Sequence, residues 1–90
     1  YIYLGIVEEV ADKEVSGERK NLVRIEQRNK FCVGDKIEIM KPDGNNVEVE
    51  VLTMYNGELE PVESCPHSKQ VIWLELSEAP KQYDLLRVKA

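Results

Sequence analysis

Hydrophobic and polar positions alternate along this chain with a period of two. Val23 and Ile25 alternate with Arg24 and Glu26, and Ile37 and Ile39 with Lys36 and Glu38. Val47, Val49 and Val51 alternate with Glu48 and Glu50. Ile72, Leu74 and Leu76 alternate with Val71, Trp73 and Glu75. Successive side chains of a strand point to opposite faces, so each segment predicts one buried and one wetter face. The β-branched residues at the repeating positions suit a pleated surface. Six strands are expected, near 2–10, 21–28, 35–41, 46–55, 69–77 and 84–89. No segment has the helical period; one helical turn is conceivable near 81–85.

Turn chemistry falls between the segments. Ser16-Gly17 lies in a polar stretch, 12–21, read as a loop. Gly34-Asp35 precedes the Ile37 strand, and Pro42-Asp43-Gly44-Asn45 separates two strands. Asn56-Gly57 is the strongest short hairpin signal, folding the Val47 strand back onto 58–62. The segment 64–68 contains Pro66 and reads as a loop, since proline cannot donate to a ladder. Ala79-Pro80 ends the Ile72 strand. Strands spaced in this way predict an all-β fold, a small six-stranded β-barrel or a sandwich. Closure into a barrel removes exposed edges.

Composition narrows the picture. Ninety residues, 42% of them hydrophobic, fit one domain with a modest core. No apolar run reaches the roughly 18 to 20 residues that span a membrane. The chain opens at Tyr1 directly into an apolar run, which reads as a fragment of a larger chain. Cys32 and Cys65 are too few for a disulfide framework. Two reduced thiols in a cytoplasmic domain are expected, with a single bridge as the alternative.

A net charge of −5 opposes autonomous nucleic-acid binding. The charge is uneven, however. Residues 19–41 carry seven Lys or Arg against three acids, and residues 42–80 carry one Lys against eight acids. Two readings follow: an electrostatically two-sided domain that orients on a partner, or strand faces whose charges alternate incidentally.

Chemistry within the chain has little to stand on. Cys65-Pro66-His67 places a thiol near an imidazole, but a nucleophile needs a positioned base and a group that orients it. Structural zinc needs four ligands in close pairs, and Cys32, Cys65 and His67 do not supply them. Glu48 and Glu50 share a solvated strand face. No glycine-rich phosphate loop is present. Catalytic, metal and cofactor sites are therefore expected to be absent, and no small-molecule ligand is evident.

Surface residues are better candidates. Trp73 lies opposite the Ile72 face, with Val71. There it forms either an outward interface anchor or a second small core beneath the 64–68 loop. Arg24, Arg28 and Lys30 are the cations suited to RNA, since arginine forks onto phosphate and stacks on bases. The plainer alternative has Arg28 and Asn29 holding the turn before Phe31, with Asp84 or another acid as partner. Asp84 is itself suited to capping the turn at Gln82 and Tyr83.

Several stretches taken together resemble a known family. They are Tyr3-Leu4-Gly5-Ile6-Val7, then Ile25-Glu26-Gln27-Arg28-Asn29-Lys30-Phe31 running into Val33-Gly34-Asp35-Lys36-Ile37-Glu38, then Pro66-His67-Ser68-Lys69-Gln70 and Tyr83-Asp84-Leu85-Leu86-Arg87. Their order and spacing resemble the C-terminal domain of the collagenase-like peptidase family, peptidase family U-32. The Glu-Gln-Arg-Asn-x-Phe-x-x-Gly-Asp run is the most specific part. The resemblance implies a β-barrel similar to domain two of translation factors such as elongation factor Tu. It also implies an upstream catalytic domain as partner. Family members include peptidases and relatives resembling RNA-modifying hydroxylases that use an iron–sulfur cluster and prephenate. The cysteine signature of the family's main domain does not occur in these residues, so no catalytic or cluster-binding role transfers to Cys32 or Cys65. The expected function is a non-catalytic accessory domain that docks on the catalytic domain and positions a protein or RNA substrate. The alternatives are a purely structural or oligomerisation module, an RNA-binding module of a relative of the RNA-modifying hydroxylases and, last, an autonomous enzyme.

Overall fold

In a computed structural model, which describes residues 1–64 and 69–89, the chain is all-β. Seven strands are formed: β1 (Ile2–Val15), β2 (Glu18–Glu26), β3 (Lys36–Met40), β4 (Val47–Tyr55), β5 (Pro61–Val62), β6 (Val71–Leu76) and β7 (Leu85–Val88). They build one antiparallel sheet in the order β3-β7-β1-β2-β6-β4-β5. A further pairing of β3 with β4 makes the sheet ring round. Six strands form the ring, and these are the six the alternation predicts. The seventh, β5, is a two-residue strand on β4, reached through the Asn56-Gly57 loop.

The ring has one inside. Leu4, Val7, Val23, Ile25, Ile37, Ile39, Val49, Val51, Ile72, Leu74 and Leu86 meet there, and all are essentially inaccessible. Phe31 and Met54 complete the packing. The alternating positions of β2, β3, β4 and β6 thus face inward as their period requires. At about 25 cal/mol per Å² of apolar surface removed from water, this shared core is the main stabilising contribution.

One reading of the sequence is overturned. The stretch 12–21 is a hairpin and not a polar loop: Asp12, Lys13, Glu14 and Val15 pair with Asn21, Lys20, Arg19 and Glu18. Ser16 and Gly17 both take positive φ, 52° and 80°, which is the backbone twist that two-residue hairpins favour. Polar residues occupy both faces of this arm, so the pattern of burial is weak there and turn geometry decides the pairing. No helical turn forms near 81–85; residues 82 and 83 form a simple turn, with Tyr83 at φ 73°.

The run from Glu26 to Asp35 carries the chain from β2 across to β3, and local bonds fix it. Arg28 donates its backbone N–H to the Leu4 carbonyl (2.8 Å), and the Asn29 side-chain amide donates to the Tyr3 carbonyl (2.6 Å). Phe31 then drops into the core. Asp35 accepts from the Cys32 backbone N–H through its carboxylate (2.8 Å), and Gly34 supplies φ 92° between them. Gly5 makes this crossing close enough. A Cβ there would stand 2.8 Å from the Glu26 carbonyl oxygen.

A candidate interaction face on the outside of the ring

The outward face of β6 carries Trp73, and the register sets its neighbours. Arg24 on β2 and Tyr55 on β4 lie directly opposite Trp73 on its two sides. Trp73 is only 7% exposed. It packs with Val15, Leu22 and Tyr55 into a second small cluster, edged by Ala11 and Leu59. The outward direction expected of Trp73 is therefore found, but its surface is covered. The cover comes from the β1–β2 arm and from Leu59; residues 65–68, beneath which the expectation placed such a core, lie outside the described residues.

Cations close over this cluster. The Lys13 ammonium lies 5.1 Å from the Trp73 ring centroid and the Arg24 guanidinium 5.9 Å. Both are within reach of a cation–π attraction. Arg24 also pairs with Glu9 (3.3 Å) and Glu8 (3.8 Å). Lys20 pairs with Glu75 (3.3 Å), which in turn accepts from the Thr53 hydroxyl (3.1 Å). The Tyr55 side chain, and after it Glu75, hold the Lys20 ammonium above its ordinary pKa.

Arg28 and Lys30 sit elsewhere. Both belong to the connection beyond β2, past the outward-facing Glu26, to which Arg28 is bonded at 3.4 Å. Asn29 does hold this turn, through Tyr3, and of the acids open to Arg28 its partner is Glu26, not Asp84. Lys30 is exposed and has no acidic partner among the described residues. The sequence candidates thus form two groups, Arg24 with Trp73 and Arg28 with Lys30.

Asp84 is buried, and its role is structural. Its carboxylate accepts from the Lys81 backbone N–H (2.9 Å) and pairs with the Lys41 ammonium (3.3 Å), capping the turn as expected. Lys41, Pro42, Asp43, Lys81 and Gln82 line an open cleft beside it. Cys32 is a free thiol whose residue bridges to Ser64; Cys65 and His67 lie outside the described residues. Among the described residues no three His, Cys, Asp or Glu side chains are gathered to hold a metal. None of them forms a helix long and apolar enough to cross a membrane.

Sequence reasoning overlooked one exposed group. Tyr1, just before β1, and Tyr3, on the outward face of β1, are 65% and 42% exposed. Tyr3 lies opposite Arg87 of β7, whose guanidinium sits 3.7 Å from the Tyr1 ring centroid. The signal was available: Tyr1 and Tyr3 are two apart, so a strand puts both on one face.

Comparison with known proteins identifies the chain. The family described as "Peptidase family U32 C-terminal domain" matches residues 1–87. The tRNA hydroxylation protein P of Escherichia coli (strain K12) is 40% identical over 63 residues, 68% of this chain. The match spans only 14% of that relative's length. The fold is similar to that of the C-terminal domain of a Geobacillus thermoleovorans protein of the U32 peptidase group: TM-score 0.79 at 17% identity, covering 99% of this chain and 93% of the other. A crystal structure of the selenomethionine variant of that domain matches with TM-score 0.68, also at 17% identity, covering 93% of this chain and 96% of the other. The chain belongs to the U32 C-terminal domain family.

Proposed function

We propose that this domain is a non-catalytic accessory module that positions a structured RNA for the catalytic part of a U32-type polypeptide. The observation that carries this reading is the 40% identity to a tRNA hydroxylation protein over two thirds of the chain. The surface chemistry agrees with it. Arg24, Arg28 and Lys30 project from β2 and the connection that follows. The acids beside Arg24 and Arg28 form exposed pairs, which contribute about 0–1 kcal/mol each and yield readily to phosphate, and Lys30 has no such pair among the described residues. The ring of six strands, read as a small barrel, serves as a rigid scaffold for this surface, and the free Cys32 suits the reducing cytoplasm in which tRNA is modified.

A net charge of −5 keeps the interaction weak, and contacts of lysine and arginine with phosphate make it salt-dependent. The test is a titration of the 90-residue chain with an unmodified tRNA transcript at about 0.05 M and about 0.2 M salt. Binding at low salt that falls steeply at high salt is expected. Removing two phosphate contacts with Arg28→Ala and Lys30→Ala should lower the slope of log K against log salt by about two. No binding at low salt would overturn the reading.

A further inference from the structure

The cations that suggest RNA contact do not stand alone. Arg28 is tied by its backbone to Leu4 and Asn29 by its side chain to Tyr3, so the basic connection lies along one edge of the exposed N-terminal stretch of β1. Arg87 of β7 borders the same stretch on its other edge, opposite Tyr3 and stacked on Tyr1. Arg87 is held in place by Glu38, bonded through Nε at 2.6 Å. Lys30 and Lys89 are exposed at the margins. Two exposed tyrosines therefore lie between two arginine-bearing segments, with Arg28 paired to Glu26 and Arg87 to Glu38, and with Lys30 and Lys89 at the margins, within a domain that is acidic as a whole.

Exposed tyrosines have a cost in water, since their apolar faces are left unburied. In the described residues nothing of the domain covers these two beyond the stacked Arg87. The ring faces suit flat π-systems, and the flanking guanidinium and ammonium groups suit phosphates. A paired duplex keeps its base faces stacked inside and offers no ring to a tyrosine. An unpaired nucleotide offers both a base and a phosphate.

We propose that Tyr1, Tyr3, Arg28 and Arg87 form a stacking platform for unpaired RNA nucleotides: bases lie on the tyrosine rings, and Arg28, Lys30 and Lys89 hold the adjoining phosphates. This rests on the RNA reading above and deepens it, assigning the recognised RNA to a single-stranded segment and the contact to the β1–β7 edge. The Trp73 cluster, being covered, then serves to stiffen the arm.

The probes are a ten-nucleotide oligouridine and an RNA duplex of ten base pairs, each titrated into the 90-residue chain at low salt. The related Geobacillus domain yields crystals on its own, and this chain closes its own core, so the domain is a sound reagent. Oligouridine should shift the Tyr1 and Tyr3 ring protons upfield, as a stacked base does. Tyr3→Ala should weaken oligouridine binding about 5- to 150-fold, the range found when a base–aromatic stack is removed. Tyr3→Phe should retain it, and duplex binding should change little in either variant. Binding of RNA with no loss in Tyr3→Ala would overturn the platform and leave the RNA reading standing. Absence of binding by both probes and by tRNA would overturn both. Hydroxyl-radical footprinting of the full-length polypeptide without RNA separates the remaining case: Tyr1 and Tyr3 shielded there would make this face an internal docking surface and overturn the platform.

Discussion

Gly5 shows how one residue governs the site. β1 passes beneath the end of β2 at this point, and a Cβ would meet the Glu26 carbonyl oxygen at 2.8 Å, with Ile25 behind it. A backbone carbonyl in a paired strand cannot step aside as a flexible side chain can. Gly5→Ala should therefore cost about 1–3 kcal/mol, the range for overpacking a well-filled core. Thermal unfolding followed by circular dichroism should show a fall of at least about 4 °C in Tm, given about 4–8 °C per kcal/mol for a domain of this size. An unchanged Tm would mean that the two strands separate more easily than their contacts indicate. The same substitution should displace Arg28 and Asn29 from Leu4 and Tyr3, because the crossing at Gly5 brings them together. Trp73 illustrates a different limit. Its direction was legible from its place between Ile72 and Leu74. Its cover was not, because Leu22, Val15 and Leu59 come from other elements, and period-two alternation within one strand says nothing about them.

At the scale of elements, the turns hold what the strands leave open. Asp84 sits at a junction: its carbonyl accepts from the Val7 backbone N–H, while its carboxylate caps Lys81 and pairs with Lys41. Tyr83, at positive φ, donates its backbone N–H to the Val7 carbonyl at 2.7 Å. Asp84→Ala would leave a partly buried amide and an ammonium without their acceptor, a loss of about 1–3 kcal/mol. Asp84→Asn should retain the cap through its side-chain oxygen and lose less. The comparison is read from urea unfolding midpoints, and equal losses for the two variants would assign the effect to packing and not to the cap. Asp43 caps its own turn in a similar way, and the Asn45 backbone N–H holds its carboxyl below the ordinary pKa. Such turns were partly readable, since Asp and Asn announce them. The Ser16-Gly17 hairpin was misread because Lys13 and Lys20 face each other across the ladder, as do Asp12 and Asn21. Ala11, Val15 and Leu22 share the Trp73 side with Lys13 and Lys20, so the apolar stripe is interrupted and the two-residue turn is the deciding feature. The Glu-Gln-Arg-Asn run was recognised as the most specific part of the sequence. Asn29, Phe31, Gly34 and Asp35 turn out to fix the crossing, which leaves Arg28 and Lys30 as its outward members.

For the whole molecule, ring order turns the uneven charge into a direction. Travelling round the ring, β4 is three strands from β1 either way, so the two stand on opposite sides. Glu48 and Glu50 are exposed on β4, while Tyr3, Arg28 and Arg87 gather about the N-terminal stretch of β1, before the acids Glu8, Glu9, Asp12 and Glu14 further along that strand. The molecule measures 24 × 20 Å across its shorter axes. That span exceeds the screening length of about 8 Å at physiological ionic strength, but not the roughly 30 Å that applies at 0.01 M. The acidic side therefore repels RNA at long range in dilute salt and turns the β1 side toward it; near physiological salt it is almost invisible to RNA bound at β1. Replacing Glu48 and Glu50 together by Gln should accelerate association with tRNA in stopped-flow measurements at about 0.01 M salt. At about 0.15 M, the same variant should bind within roughly twofold of the native chain, because its added charge lies beyond the screening length. Arg28→Ala, acting at contact, should still weaken binding at that salt. A large gain for the glutamine variant that survives physiological salt would place the RNA against β4, and the β1 face would then have to be given up as its seat.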